Sequence, residues 1–268
     1  RQPGLVDLTS NTLAPGDEAL IWQLRGKSRP NTISTSLRST PNRSAVRLSK
    51  IDTNEVLIDC QSVWKIFGKA APAAMNAVVQ QGLTKTQILQ NYGCVVGVSN
   101  VDLQVRRGEI FCIMGLSGSG KSTLLQTLAG LIAPAAGQLQ LNCAIQYLDQ
   151  HFSLLNSSQS ALANLRRHCP LLSETTARTL LASAGLRADK ALKPAGVLSG
   201  GERMKLAMLM VSQHSNSLLL LDEPDNHLDL ETKQLLAQAL CQYPAGFVVV
   251  SHDQHFIAQL GIDTVLQI

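Results

Sequence analysis

Apolar residues fall along this chain in two textures. Through residues 26–50, GKSRPNTISTSLRSTPNRSAVRLSK, they stand alone at no steady period among Ser, Thr, Asn, Arg and Pro. Such a stretch cannot offset its own ordering entropy and is expected to be disordered. Ahead of it, Asp17 to Arg25 supports at most two turns of amphipathic helix around Leu20, Ile21 and Leu24, too short to stand alone. From Glu55 onward the pattern becomes regular. Val101, Leu103 and Val105 alternate before the turn Arg106-Arg107-Gly108, and Ile110 to Met114 then forms a continuous apolar run. Runs of that type are strands buried on both faces of a parallel sheet. Leu218 to Leu221 and Phe247 to Val250 repeat it. Helices are expected between them: Lys121 to Ala129, Glu174 to Ala184 capped by Ser173 and stopped by Gly185, one after Gly200 and one after Asp229. Residues 70–92 read as an insertion of two short helices broken at Gly82, with Thr84 as N-cap and Gly93 as the stop. The alternation predicts an α/β fold.

Length and composition fit a packed domain. With 268 residues, 45% hydrophobic and 16% charged, the chain suits one large domain or one and a half, and fibrous, disulfide-scaffold and wholly disordered classes are excluded. No run approaches the roughly 18 apolar residues of a membrane-spanning helix, and the first residues lack a charged head followed by an apolar signal core. A soluble, cytoplasmic protein is expected. Cys60, Cys94, Cys112, Cys143, Cys169 and Cys241 form no CxxC pair and read as reduced thiols rather than a zinc site. Residues 1–50 hold eight Lys or Arg against three Asp or Glu, a net +5, whereas the whole chain is +4. The basic character is therefore assigned to this leader, where contact with RNA would be weak and salt-sensitive. The chain opens on Arg1 rather than Met, which fits a processed remnant, a fragment edge or an added leader, and the fold is expected to occupy residues 55–268.

The segment Gly115-Leu116-Ser117-Gly118-Ser119-Gly120-Lys121-Ser122-Thr123 fits the Walker A pattern and follows a buried strand, opening a helix, as that pattern requires. Its glycines let successive N–H groups wrap toward phosphate at a helix N-terminus. Lys121 would neutralise the β and γ phosphates and Ser122 would ligate Mg²⁺. Downstream, Leu218 to Leu221 ends in Asp222, suited to holding Mg²⁺, and Glu223, suited to an attacking water. Leu198-Ser199-Gly200-Gly201-Glu202 opens another helix with a second anion-binding N-terminus, or simply a cap after a loop.

LSGGE, LLLLDEP, Asn226-His227-Leu228-Asp229 and Val250-Ser251-His252-Asp253, in that order after Walker A, resemble the signature set of ATP-binding cassette (ABC) ATPases from about Val56 to the C-terminus. The resemblance implies a P-loop NTPase with a mixed sheet core, an N-terminal antiparallel part and a small helical subdomain at about residues 151–213. It also implies ATP and Mg²⁺ as ligands, and a head-to-tail dimer in which Ser199, Gly200 and Gly201 of a second cassette close the site. By the same resemblance Gln150 in Tyr147-Leu148-Asp149-Gln150 touches Mg²⁺ and the water, Glu223 is the catalytic base, Asp229 is the D-loop aspartate and His252 senses the γ phosphate. Phe67 takes the place of the aromatic that stacks on adenine, with Trp64 as second candidate; packing beneath the first sheet is the alternative for both.

The likeness divides near Walker A. Residues 56–123, with VWKIFG, GLTKTQILQNYG and VVGVSNVDLQVRRGEIFCIMGLSGSGKSTL, are similar to ATPase subunits of quaternary-amine (glycine betaine or choline) importers. From about Ala129, LDQHFSLLN, LSGGERMKLAMLM, LLLLDEPDNHLDLETKQLLAQAL and FVVVSHDQHFI resemble the soluble ABC-F class that acts on the ribosome, with Asp225 where Thr is commoner. The interval from Gln150 to Leu198 leaves no room for a long coiled coil, which excludes chromosome-maintenance ATPases, and no DNA partner is predicted. Three classes of function follow: a soluble ATPase with a ribosome-like partner, an importer motor docked on a membrane permease subunit, and a nucleotide-binding module without turnover.

Overall fold

The computed structural model describes residues 54–268 apart from Ser215. The basic leader and the short helix expected at Asp17 to Arg25 lie outside the described residues. Two sheets form. Strands β1 (Val56–Phe67), β2 (Val95–Arg106) and β4 (Ala136–Leu141) pair antiparallel in the order β2-β1-β4. Strands β3 (Ile110–Met114), β5 (Ile145–Leu148), β6 (Leu218–Asp222), β7 (Phe247–Val250) and β8 (Thr264–Gln267) pair parallel in the order β5-β6-β7-β3-β8. The mixed pairing expected of the core thus resolves into two sheets, each of one kind. The runs read as doubly buried strands are so: every residue of β6 and β7 is buried. β1 lacks a clean alternation because its pairing with β2 shifts between Cys60 and Val63, with Ser62 at φ 49°, a bulge that resets which side chains face inward.

Helix α1 (Ala71–Gln81) and helix α2 (Lys85–Tyr92) follow β1. Gly82 and Gly93 end them in the left-handed conformation. Thr84 opens α2 with a capping box, accepting from the Gln87 N–H while the Gln87 side chain accepts from the Thr84 N–H. Their apolar faces close a small cluster of Ile66, Ala74, Met75, Ile88 and Cys94, against which Trp64 packs. Helix α3 (Lys121–Leu128) buries Leu124, Leu125 and Leu128 in the main core, with Leu57, Ile58 and Val105 of the first sheet and Phe111, Ile113, Leu220 and Val248 of the second. Burial of each of these aliphatic side chains contributes about 1.5–3 kcal/mol, so α3 is held firmly where the Walker A loop delivers it. Helices α8 (Leu230–Cys241) and α9 (Gln254–Leu260) complete this unit.

Residues Leu155–Gln213 form a separate compact unit of helices α4 (Ala161–His168), α5 (Glu174–Ser183), α6 (Asp189–Leu192) and α7 (Gly200–Ser212). Ser160, Ser173 and Ser199 cap α4, α5 and α7 through their side-chain oxygens. Asn164, fully buried, pins the entry to this unit: its Nδ2 donates to the carbonyls of Asn156 (2.9 Å), Gln159 (3.2 Å) and Ser160 (3.0 Å), and its Oδ1 accepts from the Asn156 N–H (2.7 Å). Asn164→Ala strands those buried groups and leaves a cavity. It is expected to destabilise the unit by about 2–3 kcal/mol in urea unfolding, and a loss below about 0.5 kcal/mol would deny Asn164 this role.

Candidate nucleotide site

In the parallel sheet β7 lies between β6 and β3, so Asp222, Val250 and Ile113 sit in one row. The carboxyl ends of these three neighbouring strands therefore deliver Asp222 and Glu223, then His252, then the Walker A loop, to one edge, the place where open α/β sheets bind ligands. β5, on the far side of β6, delivers the segment Tyr147 to Gln150.

The loop from Gly115 to Gly120 turns tightly, with Gly118 at φ 78° and Gly120 at φ 103°. A Cβ at Gly120 would overlap the carbonyl oxygen of Gly97 in β2, so only glycine fits. Helix α3 opens at Lys121 with no side-chain cap, leaving the first-turn N–H groups free of side-chain acceptors. The Lys121 side chain is buried and its Nζ donates to the carbonyls of Gly115 (2.9 Å) and Leu116 (2.8 Å), lying along the loop it would share with phosphate.

Ser122 Oγ donates to Asp222 Oδ1 at 3.1 Å, joining two residues a hundred positions apart. The Tyr147 hydroxyl donates to Asp222 Oδ2 at 3.4 Å. Burial pushes the Asp222 carboxyl above its usual range, the Ser122 hydroxyl opposes this, and the Glu223 charge adds to the upward push. Burial likewise raises the Tyr147 phenol, to about 12. An all-oxygen set of a serine hydroxyl and a carboxylate in a partly desolvated pocket suits a hard divalent cation such as Mg²⁺.

Glu223 leaves the sheet in the left-handed region at φ 48°, while its N–H still donates to the Val250 carbonyl (2.9 Å). That conformation is uncommon for a residue with a side chain and costs of order 1–2 kcal/mol. The carboxylate has its own partners: Oε1 lies 3.2 Å from His252 Nε2, and Oε2 accepts from Asn226 Nδ2 at 3.2 Å. His227 is left-handed too, at φ 62°, completing a tight turn before Asp229 caps α8 by accepting from the Thr232 N–H (2.8 Å). A cleft of about 190 Å³ opens among Glu223, Asp225, Asn226, Lys233, His252 and Asp253.

Gln150 sits in a turn after β5, half-buried, and makes no side-chain hydrogen bond to Asp222 or Glu223. Ser199 Oγ accepts from the Glu202 N–H (3.2 Å) while Glu202 Oε2 accepts from the Ser199 N–H (2.9 Å), so within one chain the serine acts as a helix cap. The two aromatics separate. Trp64 belongs to the α1–α2 cluster, whereas Phe67 is 40% exposed at the end of β1. A Cβ at Gly97 would lie 2.8 Å from Phe67 Cε2 and 3.0 Å from Thr123 Cγ2, which puts the Phe67 ring beside the first turn of α3. Gly97 is the residue that sequence reasoning missed. Its signal was a glycine inside a strand pattern, which often marks close backbone approach.

A family profile described as ABC transporter matches residues 98–226. Among curated proteins the chain is 39% identical over 166 residues to the protein YdiF of Bacillus subtilis (61% of this chain, 26% of that protein). It is 34% identical over 187 residues to YheS of Escherichia coli K12 (69% and 29%), and 37% identical over 161 residues to ATP-binding cassette sub-family F member 3 of Mus musculus (59% and 22%). The chain thus spans under a third of the length of each. Among solved structures it shares its fold with the dimeric structure of MJ0796, a bacterial ABC transporter cassette, at a TM-score of 0.61 and 23% identity, covering 78% of this chain and 94% of that one. Residues 98–226 thus carry the ATPase domain of the ABC transporter family, and the chain is similar to cassettes of sub-family F.

Proposed function

We propose that this cassette binds ATP with Mg²⁺ and hydrolyses it in a composite site shared with a second cassette, and that it serves a soluble, ribosome-associated role. The observation that carries the reading is the meeting of Ser122 with Asp222 and of Glu223 with His252 at the ends of neighbouring strands. Lys121 and the N–H groups from Gly115 to Thr123 bind the β and γ phosphates, and Phe67 stacks on the adenine. Ser122, Asp222 and Gln150 hold Mg²⁺, which when bound neutralises charge on the transferred group. Glu223 accepts a proton from water as its oxygen attacks the γ phosphorus, the bond to the β-γ bridging oxygen breaks, and ADP leaves with that electron pair. His252 holds Glu223 in place and donates to the γ phosphate. Ser199, Gly200 and Gly201 of the second cassette, with its Asp229, close the site.

For the partner, charge is informative once the fold divides the chain. The helical unit Leu155–Gln213 holds eight Lys or Arg against three Asp or Glu, a net +5, while the remaining described residues hold seven against twelve, a net −5. The two cancel in the sequence total, which had placed the basic character in the leader alone. A basic helical unit and ABC-F-like relatives support contact with RNA. Among the described residues no helix is long and apolar enough to cross a membrane. The likeness of residues 56–123 to importer subunits supports docking on a permease as the second reading.

A composite site makes hydrolysis bimolecular in cassette. Phosphate release per chain is expected to rise with protein concentration before levelling, and a rate per chain independent of concentration would remove the paired site. Co-sedimentation with ribosomes, weakening steeply between about 50 and 200 mM salt, separates the soluble role from capture by an importer's permease subunit.

A further inference from the structure

We propose that Lys233 is a positioning residue for hydrolysis, its ammonium shared between Asp225 and Asp253 so as to fix the segment that presents His252 to Glu223. This rests on the hydrolytic reading above and adds to it a residue outside the signature segments.

Lys233 lies in the first turn of α8, and its Nζ is 2.5 Å from Asp253 Oδ2 and 3.9 Å from Asp225 Oδ2. Its side chain is 23% exposed and that of Asp225 only 8%. In the cleft beside Glu223 it is the single Lys or Arg among the lining residues, facing the three carboxylates of Glu223, Asp225 and Asp253. Asp253 is in turn tied to the backbone around it. Its Oδ1 accepts from the N–H groups of His255 (2.9 Å) and Phe256 (3.1 Å), capping α9, and its own N–H donates to Ser251 Oγ (3.1 Å). His252 sits between these two anchored residues. Its side chain is 59% exposed, and its Nε2 lies 3.2 Å from Glu223 Oε1. The imidazole has little packing to hold it, so the backbone from Ser251 to Asp253 sets its position. That backbone is held through Asp253 by Lys233.

Asp225 explains why a cation is needed. Where a threonine stands in the related pattern, this chain has a carboxylate that is nearly buried next to Asp253, with the Ser251 hydroxyl and the Lys233 ammonium as its partners, and loss of the cation beside two such carboxylates is destabilising. Removing the ammonium sets Asp225 against Asp253 and frees the second to shift, carrying His252 with it. The helices themselves stay docked, because Leu236, Leu240, Phe256 and Leu260 are at most 1% exposed and do not depend on the ion pair.

The test compares wild type, Lys233→Met, Lys233→Arg and Glu223→Gln in steady-state Mg-ATP hydrolysis, with ring NMR spectra of the histidine-labelled chain assigned through His252→Ala. Lys233→Met is expected to lower kcat at least about tenfold with KM for ATP changed less than about twofold. The His252 ring signal moves or broadens while the signals of the other histidines stay. Lys233→Arg, which keeps the cation, is expected to recover most of the rate. Should wild type hydrolyse ATP no faster than Glu223→Gln, the hydrolytic reading falls and the proposal with it. An active wild type matched in kcat by Lys233→Met, or an unmoved His252 signal in that variant, overturns the proposal alone. A rate loss that Lys233→Arg does not repair, with several histidine signals moving together, assigns Lys233 a structural role only and also overturns it.

Discussion

Glu223→Gln is expected to lower ATP turnover by roughly 100-fold or more while ATP binding stays near the wild-type level. The substitution is nearly isosteric. The glutamine Oε1 can still accept from Asn226 Nδ2, and the N–H of residue 223 keeps its bond to the Val250 carbonyl, so the left-handed turn is retained. What is lost is the proton acceptor 3.2 Å from His252. The Walker A loop and the Ser122–Asp222 hydrogen bond use none of the Glu223 side-chain atoms and are kept. Phosphate release and titration of a fluorescent ATP analogue measure the two effects separately. A variant that turns over at the wild-type rate would falsify the assignment of Glu223 as base, and one that binds ATP far more weakly would make Glu223 a binding residue instead.

Gly120→Ala is expected to cost about 3–5 kcal/mol, from overpacking against a backbone oxygen together with a strained φ. The methyl group has nowhere to go. It meets the Gly97 carbonyl in β2, and neither that strand nor α3, anchored by Leu124, Leu125 and Leu128, can withdraw. The internal comparison is Gly82→Ala. Gly82 is also left-handed, at φ 64°, but has nothing within 4 Å of the added carbon, so that change costs only about 1 kcal/mol. Thermal unfolding without nucleotide should show a Tm about 10 °C lower for the first variant and only about 2–4 °C lower for the second. Equal shifts would mean that strain alone, and not the close approach of β2, makes Gly120 indispensable.

Much of the fold was legible because burial on both faces writes an unbroken apolar run, as in Ile110 to Met114, Leu218 to Leu221 and Phe247 to Val250. Helix starts were legible where a side chain satisfies the first-turn N–H groups, at Thr84, Ser173, Ser199 and Asp229. β1 and β4 were not read as strands. The bulge in β1 breaks its alternation, and β4, AGQLQL, has no buried residue at all, being held by its pairing with β1. In the site, the Walker A glycines and the acids after β6 announce themselves locally. The contacts of Gly97 with Phe67 and of Lys233 with Asp225 and Asp253 are tertiary, set by the register of distant segments, and no short-range pattern encodes them.

The strand order of the parallel sheet also dictates a sequence of events during synthesis. β3 carries the phosphate loop from its end, yet its two hydrogen-bonded neighbours, β7 and β8, begin only at Phe247 and Thr264. A ribosome-bound nascent chain can assemble the antiparallel sheet once β4 has emerged, and then the helical unit, while β3 still has no strand beside it. The Walker A loop therefore acquires its lasting support only after Phe247 and Thr264 have emerged, and a growing chain halted before Phe247 holds every Walker A residue without the sheet that gives them their geometry.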